Sequence, residues 1–200
     1  MANPPPRRRR ADAQRSIDAI LDASRTLLGQ RPDASMEEIA TAASVTRQTV
    51  YSHFASREAL LSALVAAAGV ETVSAFKAAD LDALAPPEAL SRYLDIGWQL
   101  IRSYPYLLGV ALSRTPPGHA PTHEEGSAVL EHLIERGQQT GDFDRAQPAD
   151  WLASAVIALI QTAAEQVLAG RLRAEDALTI LRPGVLRLCG AVTSAPRRPV

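Results

Sequence analysis

An all-α fold of about nine helices is what the sequence predicts, and three observations carry the expectation. No segment of the 200 residues sustains the apolar and polar alternation of a half-buried strand. Apolar residues recur instead at three- and four-residue spacing, which lines one face of a helix. Prolines and hydroxyl residues fall just ahead of those runs, where a helix start has orphan N–H groups to cap and none to lose to proline. A hydrophobic content of 46% with 22% charged residues is that of an ordinary globular chain rather than a fibrous or disordered one.

The elements follow in order. Residues 1–14, with the run "NPPPRRRR", show no apolar periodicity and are expected to form a flexible basic arm. From Arg15 to Leu28 the positions Ile17, Ile20, Leu21, Leu27 and Leu28 fall at helical spacing around a gap at Ser24, and Gly29 follows. Ser35 with Glu38 three residues on has the capping-box pattern, so a short helix is expected from Met36 to Ala43. Thr46 caps a third helix through Phe54, and Ser56 a fourth to about Phe76. Pro86 and Pro87 start a fifth, with Leu90, Tyr93, Leu94, Trp98 and Ile101 on its apolar face. Pro105 starts a shorter one to about Ser113; "RTPPGHAPTHEEG" is a loop, after which Thr122 and Glu125 cap a helix carrying Val129, Leu130, Leu133 and Ile134. Pro148 opens a long helix stopped by Gly170, and a last one from Ala174 to about Val192 is kinked or divided at Pro183–Gly184.

Charge is distributed unevenly. Residues 1–31 hold seven arginines against three acids, a surplus of four, so the other 169 residues carry −5 within a formal net charge of −1. Basic charge gathered at one end suits a chain that meets a polyanion with that end alone. Cys189 is the single cysteine and has no intrachain partner; no N-terminal apolar segment with a cleavage site is seen, and the expected location is the cytoplasm. No run of about 18 uninterrupted apolar residues occurs, so no membrane association is expected.

A short capped helix, a three-residue break and a second short helix form the helix-turn-helix pattern. It accounts for the composition of "SVTRQTVYSHF", residues 44–54. Val50 and Phe54 share the face that must be buried, while Arg47, Gln48, Thr49, Ser52 and His53 lie on the other. Arginine pairs with guanine O6 and N7, glutamine with adenine N6 and N7, and threonine offers its methyl to thymine. The run "ASMEEIATAASVTRQTVYSHFASREALLSAL" resembles the DNA-binding domain of the tetracycline-repressor (TetR) family of bacterial regulators: a helix ending "IA", a "GVS" or "GVT" turn, then "TxYxHF", then a basic residue before "EAL". The resemblance covers residues 15–65, and its one departure is Ser44, where the family usually has glycine and a left-handed backbone is expected.

The resemblance implies that Thr46, Arg47, Gln48 and Thr49 contact bases and nearby phosphates, that Tyr51 and His53 touch the DNA backbone, that Arg57 grips a phosphate, and that Ser35 and the Met36 amide meet the backbone from the second helix. Glu37, an acid where the family often has a basic or hydroxyl residue, is not assigned a contact. The division implied is a DNA-binding domain over residues 15–55 and a ligand-binding and dimerising domain over 56–200. The partners implied are a palindromic double-stranded operator, a second copy of the chain and an apolar small-molecule effector. The function implied is that of a ligand-released repressor, whose fourth helix swings on ligand binding.

Beyond residue 77 the sequence matches that family only in helix count, length and proline placement. Trp98, Ile101, Tyr104, Leu130, Ile134, Gln161 and Glu165 are the candidates for a ligand cavity; core packing is the plain alternative for the apolar ones and solvent for Gln161 and Glu165. The last two helices are expected to pair with their symmetry mates through Ala155, Ala158, Thr162 and Ala163 and through Leu181, Val185 and Leu188. His119 and His123, beside Glu124, are separated by a loop containing Pro121 and lack the rigid helix on which a metal-binding i, i+4 pair depends, and no nucleophile, base or phosphate-cradling loop can be assembled; neither metal, cofactor nor enzymatic activity is expected. The rival reading is a helical small-molecule-binding or interaction protein with a vestigial DNA-binding domain.

Overall fold

The computed structural model describes residues 6–103 and 121–191, with side-chain detail for 12–103 and 126–191. These residues form eight α-helices and one 3-10 helix, with no strand. The helix expected between Pro105 and Ser113 lies outside the described residues, as do Tyr104, Tyr106, His119 and the side chains of His123 and Glu124.

Helix α1 runs Pro6–Gln30, not Arg15–Leu28. The flexible arm expected over residues 1–14 is therefore helical from Pro6 onward. Proline suits a first turn and arginine and alanine are good helix formers, so the extension forms without an apolar stripe in its sequence. Pairs one turn apart reinforce it: Arg15 with Asp12, and Gln14 Nε2 with Asp18 at 2.9 Å. The gap at Ser24 is fully buried, and its hydroxyl donates to the Ile20 carbonyl at 2.6 Å, which removes the cost of burying it.

Helices α2 (Met36–Ala42), α3 (Arg47–His53) and α4 (Arg57–Ala78) start at the capped positions the sequence marks, with hydroxyls of Ser35, Thr46 and Ser56 accepting from the amides of Glu38, Thr49 and Ala59. Their inner faces close with α1 into a core of Ile20, Leu28, Ile39, Val50, Phe54, Leu60 and Leu64. Fully burying an aliphatic side chain of this size contributes about 1.5–3 kcal/mol. Because Leu60, Leu64 and Ala68 belong to it, this core extends past residue 55 into α4.

A larger core joins α5 (Pro86–Ser103), α6 (Pro121–Thr140), α7 (Ala149–Leu168) and α8 (Ala177–Leu188) with the far end of α4, whose Phe76 ring stacks on Tyr93 at 4.5 Å. One helix thus contributes to both cores. Helix α6 already contains Thr122, so that residue is not its cap. Helix α8 continues through Pro183, which dispenses with one backbone bond, and starts at Ala177 rather than Ala174. The 3-10 helix Leu81–Ala83 follows a left-handed Asp80 and is braced by Arg136, which donates to the carbonyls of Leu81, Asp82 and Leu84 at 2.8, 2.7 and 2.9 Å. By length and composition alone α4 and α7 each suffice to cross a bilayer, with windows of mean hydropathy 1.7 and 1.4. In this fold α4 divides its apolar residues between the two cores, and α7 divides its own among the larger core, a smaller cluster around Trp98 and an outer face.

Candidate nucleic-acid interface

The turn between α2 and α3 fixes how α3 leaves the core. Ser44 has φ 55, a left-handed residue directly after the helix end, and the amides of Ser44 and Val45 bond back to the carbonyls of Thr41 and Ala40 at 3.1 and 3.0 Å. This is the Schellman closure, which glycine usually supplies. Serine accepts the same conformation here at a cost in backbone strain.

Helix α3 then presents two faces. Val50 is fully buried and Phe54 nearly so, as their spacing predicts. Thr46, Arg47, Gln48, Tyr51 and Ser52 are exposed, with Thr49 and His53 half-buried at the edge. Their chemistry is not equivalent. The Thr46 and Thr49 hydroxyls bond each other at 2.8 Å while Thr46 also caps Thr49 N, and the Ser52 hydroxyl donates to the Thr49 carbonyl at 2.7 Å. These hydroxyls are partly engaged in holding α3 together. Arg47 and Gln48 keep their hydrogen-bonding groups outward, and the Arg47 guanidinium carbon sits 5.4 Å from the Tyr51 ring centroid. That distance is within cation–π reach, so Tyr51 restrains the cation while leaving its N–H groups at the surface.

Helix α2 approaches from the side. The Met36 side chain is buried and only its amide, in a first turn with no earlier carbonyl to bond, remains available. The exposed Ser35 accepts from Glu38 N, and both the Ser35 amide and hydroxyl donate to Glu38 Oε2 at 2.8 and 2.9 Å. That amide, with Arg31 and the Ser35 hydroxyl, lowers the Glu38 carboxyl to about 2. Glu37 is exposed beside it. Arg57, expected at a phosphate, directs its guanidinium to the carbonyls of Pro32 and Ala34. No local signal shows those partners, since they lie 25 and 23 residues away.

Among the described residues, the ligand candidates lie in different surroundings. Leu130 and Ile134 are fully buried in the larger core. Trp98 and Ile101 pack in a separate cluster with Ala163, Ala164, Ala177 and Leu181, where the indole N–H donates to the Ala174 carbonyl at 3.0 Å. Gln161 is half-buried and Glu165 exposed. A cleft of about 320 Å³ opens instead between α4 and α5, with Thr72, Ala75, Arg92, Ile96, Gln99 and Leu100 among its lining.

On α7 and α8 the residues expected to pair are divided between the inside and the outside of the fold. Ala163, Leu181 and Val185 point into the fold, whereas Ala158 and Thr162 are exposed and Ala155 and Leu188 half-buried. Four large apolar side chains face outward: Trp151, Leu159, Leu168 and, 59% exposed, Ile180. Periodicity missed the three on α7 because both of its faces are apolar, and a helix apolar all round carries no orientation signal. Among the described residues no cluster of three or more His, Cys, Asp or Glu side chains is placed to hold a metal.

Residues 20–64 match the sequence profile of "Bacterial regulatory proteins, tetR family". An uncharacterized HTH-type transcriptional regulator of Mycobacterium tuberculosis is 35% identical over 104 residues, which cover 51% of this chain and 52% of the relative. The chain therefore matches about half the length of that curated relative. Among solved structures, a candidate TetR-family regulator from Rhodococcus sp. superposes with a TM-score of 0.70 at 21% identity, covering 87% of this chain and 98% of that one. The TetR-like regulator LfrR from Mycobacterium smegmatis, in complex with proflavine, gives 0.66 at 24% over 86% and 94%. The FadR regulator of Bacillus subtilis, in complex with stearoyl-CoA, gives 0.67 at 15% over 87% and 98%. At these identities the structural likeness establishes the shared fold.

Proposed function

We infer that this chain, whose residues 20–64 match the tetR family of bacterial regulatory proteins, is a homodimeric regulator of that family that binds a near-palindromic DNA site and is released from it by a small molecule. The observation that carries the reading is the division of α3: Val50 and Phe54 anchor it, and Arg47 and Gln48 stand outward with unengaged hydrogen-bonding groups. Arg47 and Gln48 read base edges in the major groove; Thr46, Thr49, Tyr51, Ser52 and His53, with Ser35 and the Met36 amide, meet the backbone beside them. Two copies joined through the outer face of α7 and α8 set the recognition helices for successive major grooves, about 34 Å apart. Outward Trp151, Leu159 and Ile180 support that pairing.

The sensing half of the proposal rests on α4. Its first turns belong to the DNA-binding core and its last turns wall the α4–α5 cleft. An effector seated there and preferring one position of α4 shifts the dimer between DNA-competent and incompetent states. Moving that equilibrium from 1:99 to 99:1 takes about 5.5 kcal/mol of differential affinity.

Selection of bound sequences from random duplex DNA tests the reading. The expected product is a two-fold symmetric site whose affinity falls by orders of magnitude between about 50 and 200 mM salt. Arg47→Ala and Gln48→Ala should each relax base choice at one position per half-site, by about 1–3 kcal/mol. Recovery of no sequence, or of the same sites by both variants, would overturn it.

A further inference from the structure

One peptide unit, Ala34–Ser35, is held from both ends. Its N–H donates to Glu38 Oε2 at 2.8 Å, and its C=O accepts from Arg57 Nη1. The other arm of the same guanidinium, Nη2, donates to the Pro32 carbonyl at 2.6 Å. Glu38 also pairs with Arg31, the residue after α1. Side chains from the end of α1, from α2 and from the first residue of α4 thus converge on the lead into α2.

We propose that Arg57 is a positioning residue, whose guanidinium fork fixes the start of α2 to the first turn of α4 rather than gripping a DNA phosphate. The inference rests on the DNA-binding reading above. The chemistry favours it on two grounds. A guanidinium is a planar set of donors that bridges two carbonyls, which an ammonium on a flexible stem does not do in fixed geometry. Charge-assisted bonds are also the strong ones, and here they act on backbone that leads directly into the cap residue Ser35. Any shift of α4 along its axis draws on the Pro32–Ser35 lead directly, so α2 is moved without the displacement having to pass through the apolar core. Arg57 is half-buried, and Ala34 is 2% exposed, so water does not replace the bond to its carbonyl freely.

The full chain carrying Arg57→Met or Arg57→Lys distinguishes the two roles. Amide exchange at Ser35 is followed in the DNA-free protein. Affinity is measured against the selected duplex and a random duplex over a range of salt. The expected result is exchange at Ser35 faster by about tenfold or more in both variants. Affinity for the selected site falls, affinity for the random duplex holds, and the salt slope of each stays that of the unaltered protein. Lysine gives no rescue. A phosphate contact predicts the reverse: unchanged exchange, a slope smaller by about 0.9 per subunit in Arg57→Met, and rescue by lysine. That pattern would overturn the proposal. Where Arg57→Met fails to fold, Arg57→Lys decides alone. If the unaltered protein selects no duplex, the DNA-binding reading fails by itself; Ser35 exchange in Arg57→Lys then decides the clamp, acceleration supporting it and unchanged protection refuting it.

Discussion

Ser44→Gly should stabilise the helix-turn-helix unit, although it deletes a side chain and enlarges the unfolded ensemble. Ser44 sits at φ 55, and a non-glycine residue in the left-handed region costs about 1–2 kcal/mol. Glycine removes that cost but loses more freedom on folding, an opposing effect of about 0.4–1 kcal/mol. The two bonds that close the turn, from the amides of Ser44 and Val45, are made by backbone and survive the change. The side chain is exposed and caps nothing, so no further loss enters. The net expectation is a gain of about 0.5–1 kcal/mol. Ser44→Val, branched at Cβ and worse in this region, should lose at least as much. Urea unfolding followed by far-ultraviolet circular dichroism measures both, read as a shift in midpoint at constant slope. Trp98 and Trp151 lie outside the helix-turn-helix core, so their fluorescence shows whether the larger core unfolds together with it. A destabilised glycine variant, or a valine variant equal to the unaltered protein, would refute the left-handed turn.

Three further outcomes are expected. A Cβ on Gly137 would lie 2.1 Å from Phe143 Cδ2, so Gly137→Ala should displace the ring and cost about 1–3 kcal/mol by calorimetry, an unchanged melting temperature counting against that packing. Ile180→Asp, on the outer face of α8, should give a folded monomer by light scattering, whereas a dimer at the same concentration would place the interface elsewhere. Glu38 is depressed from 4.5 to about 2, so its contribution to stability is present above about 4.5 and is lost as pH falls toward 2. Glu38→Gln should therefore flatten the pH dependence of stability in that window, and an unaltered acid limb in the unfolding midpoint would show the carboxylate is not held.

The sequence by itself determined whatever depends on neighbours a few residues away. Ser35, Thr46 and Ser56 announce three helix starts because a cap bonds an amide within its own first turn. Val50 and Phe54 announce the inner face of α3 because one turn separates them, and the hydroxyl and basic residues opposite follow from that division. The left-handed turn at Ser44 was legible only through resemblance to a family with glycine there. Tertiary structure decided the rest. The start of α1 escaped because good helix formers extend a helix without an apolar stripe to announce it. The outward turn of Ile180 and the inward turn of Leu181 escaped because adjacent residues on a largely apolar helix are sorted only by what packs against it. The braces of Arg136 on the Leu81–Leu84 carbonyls and of Arg57 on Pro32 and Ala34 join groups tens of residues apart, and backbone carbonyls carry no sequence signature. Trp98, which spacing assigns to a core and the family resemblance offers to a cavity, is buried with its indole N–H bonded to the Ala174 carbonyl, a partner that only the folded chain brings within reach.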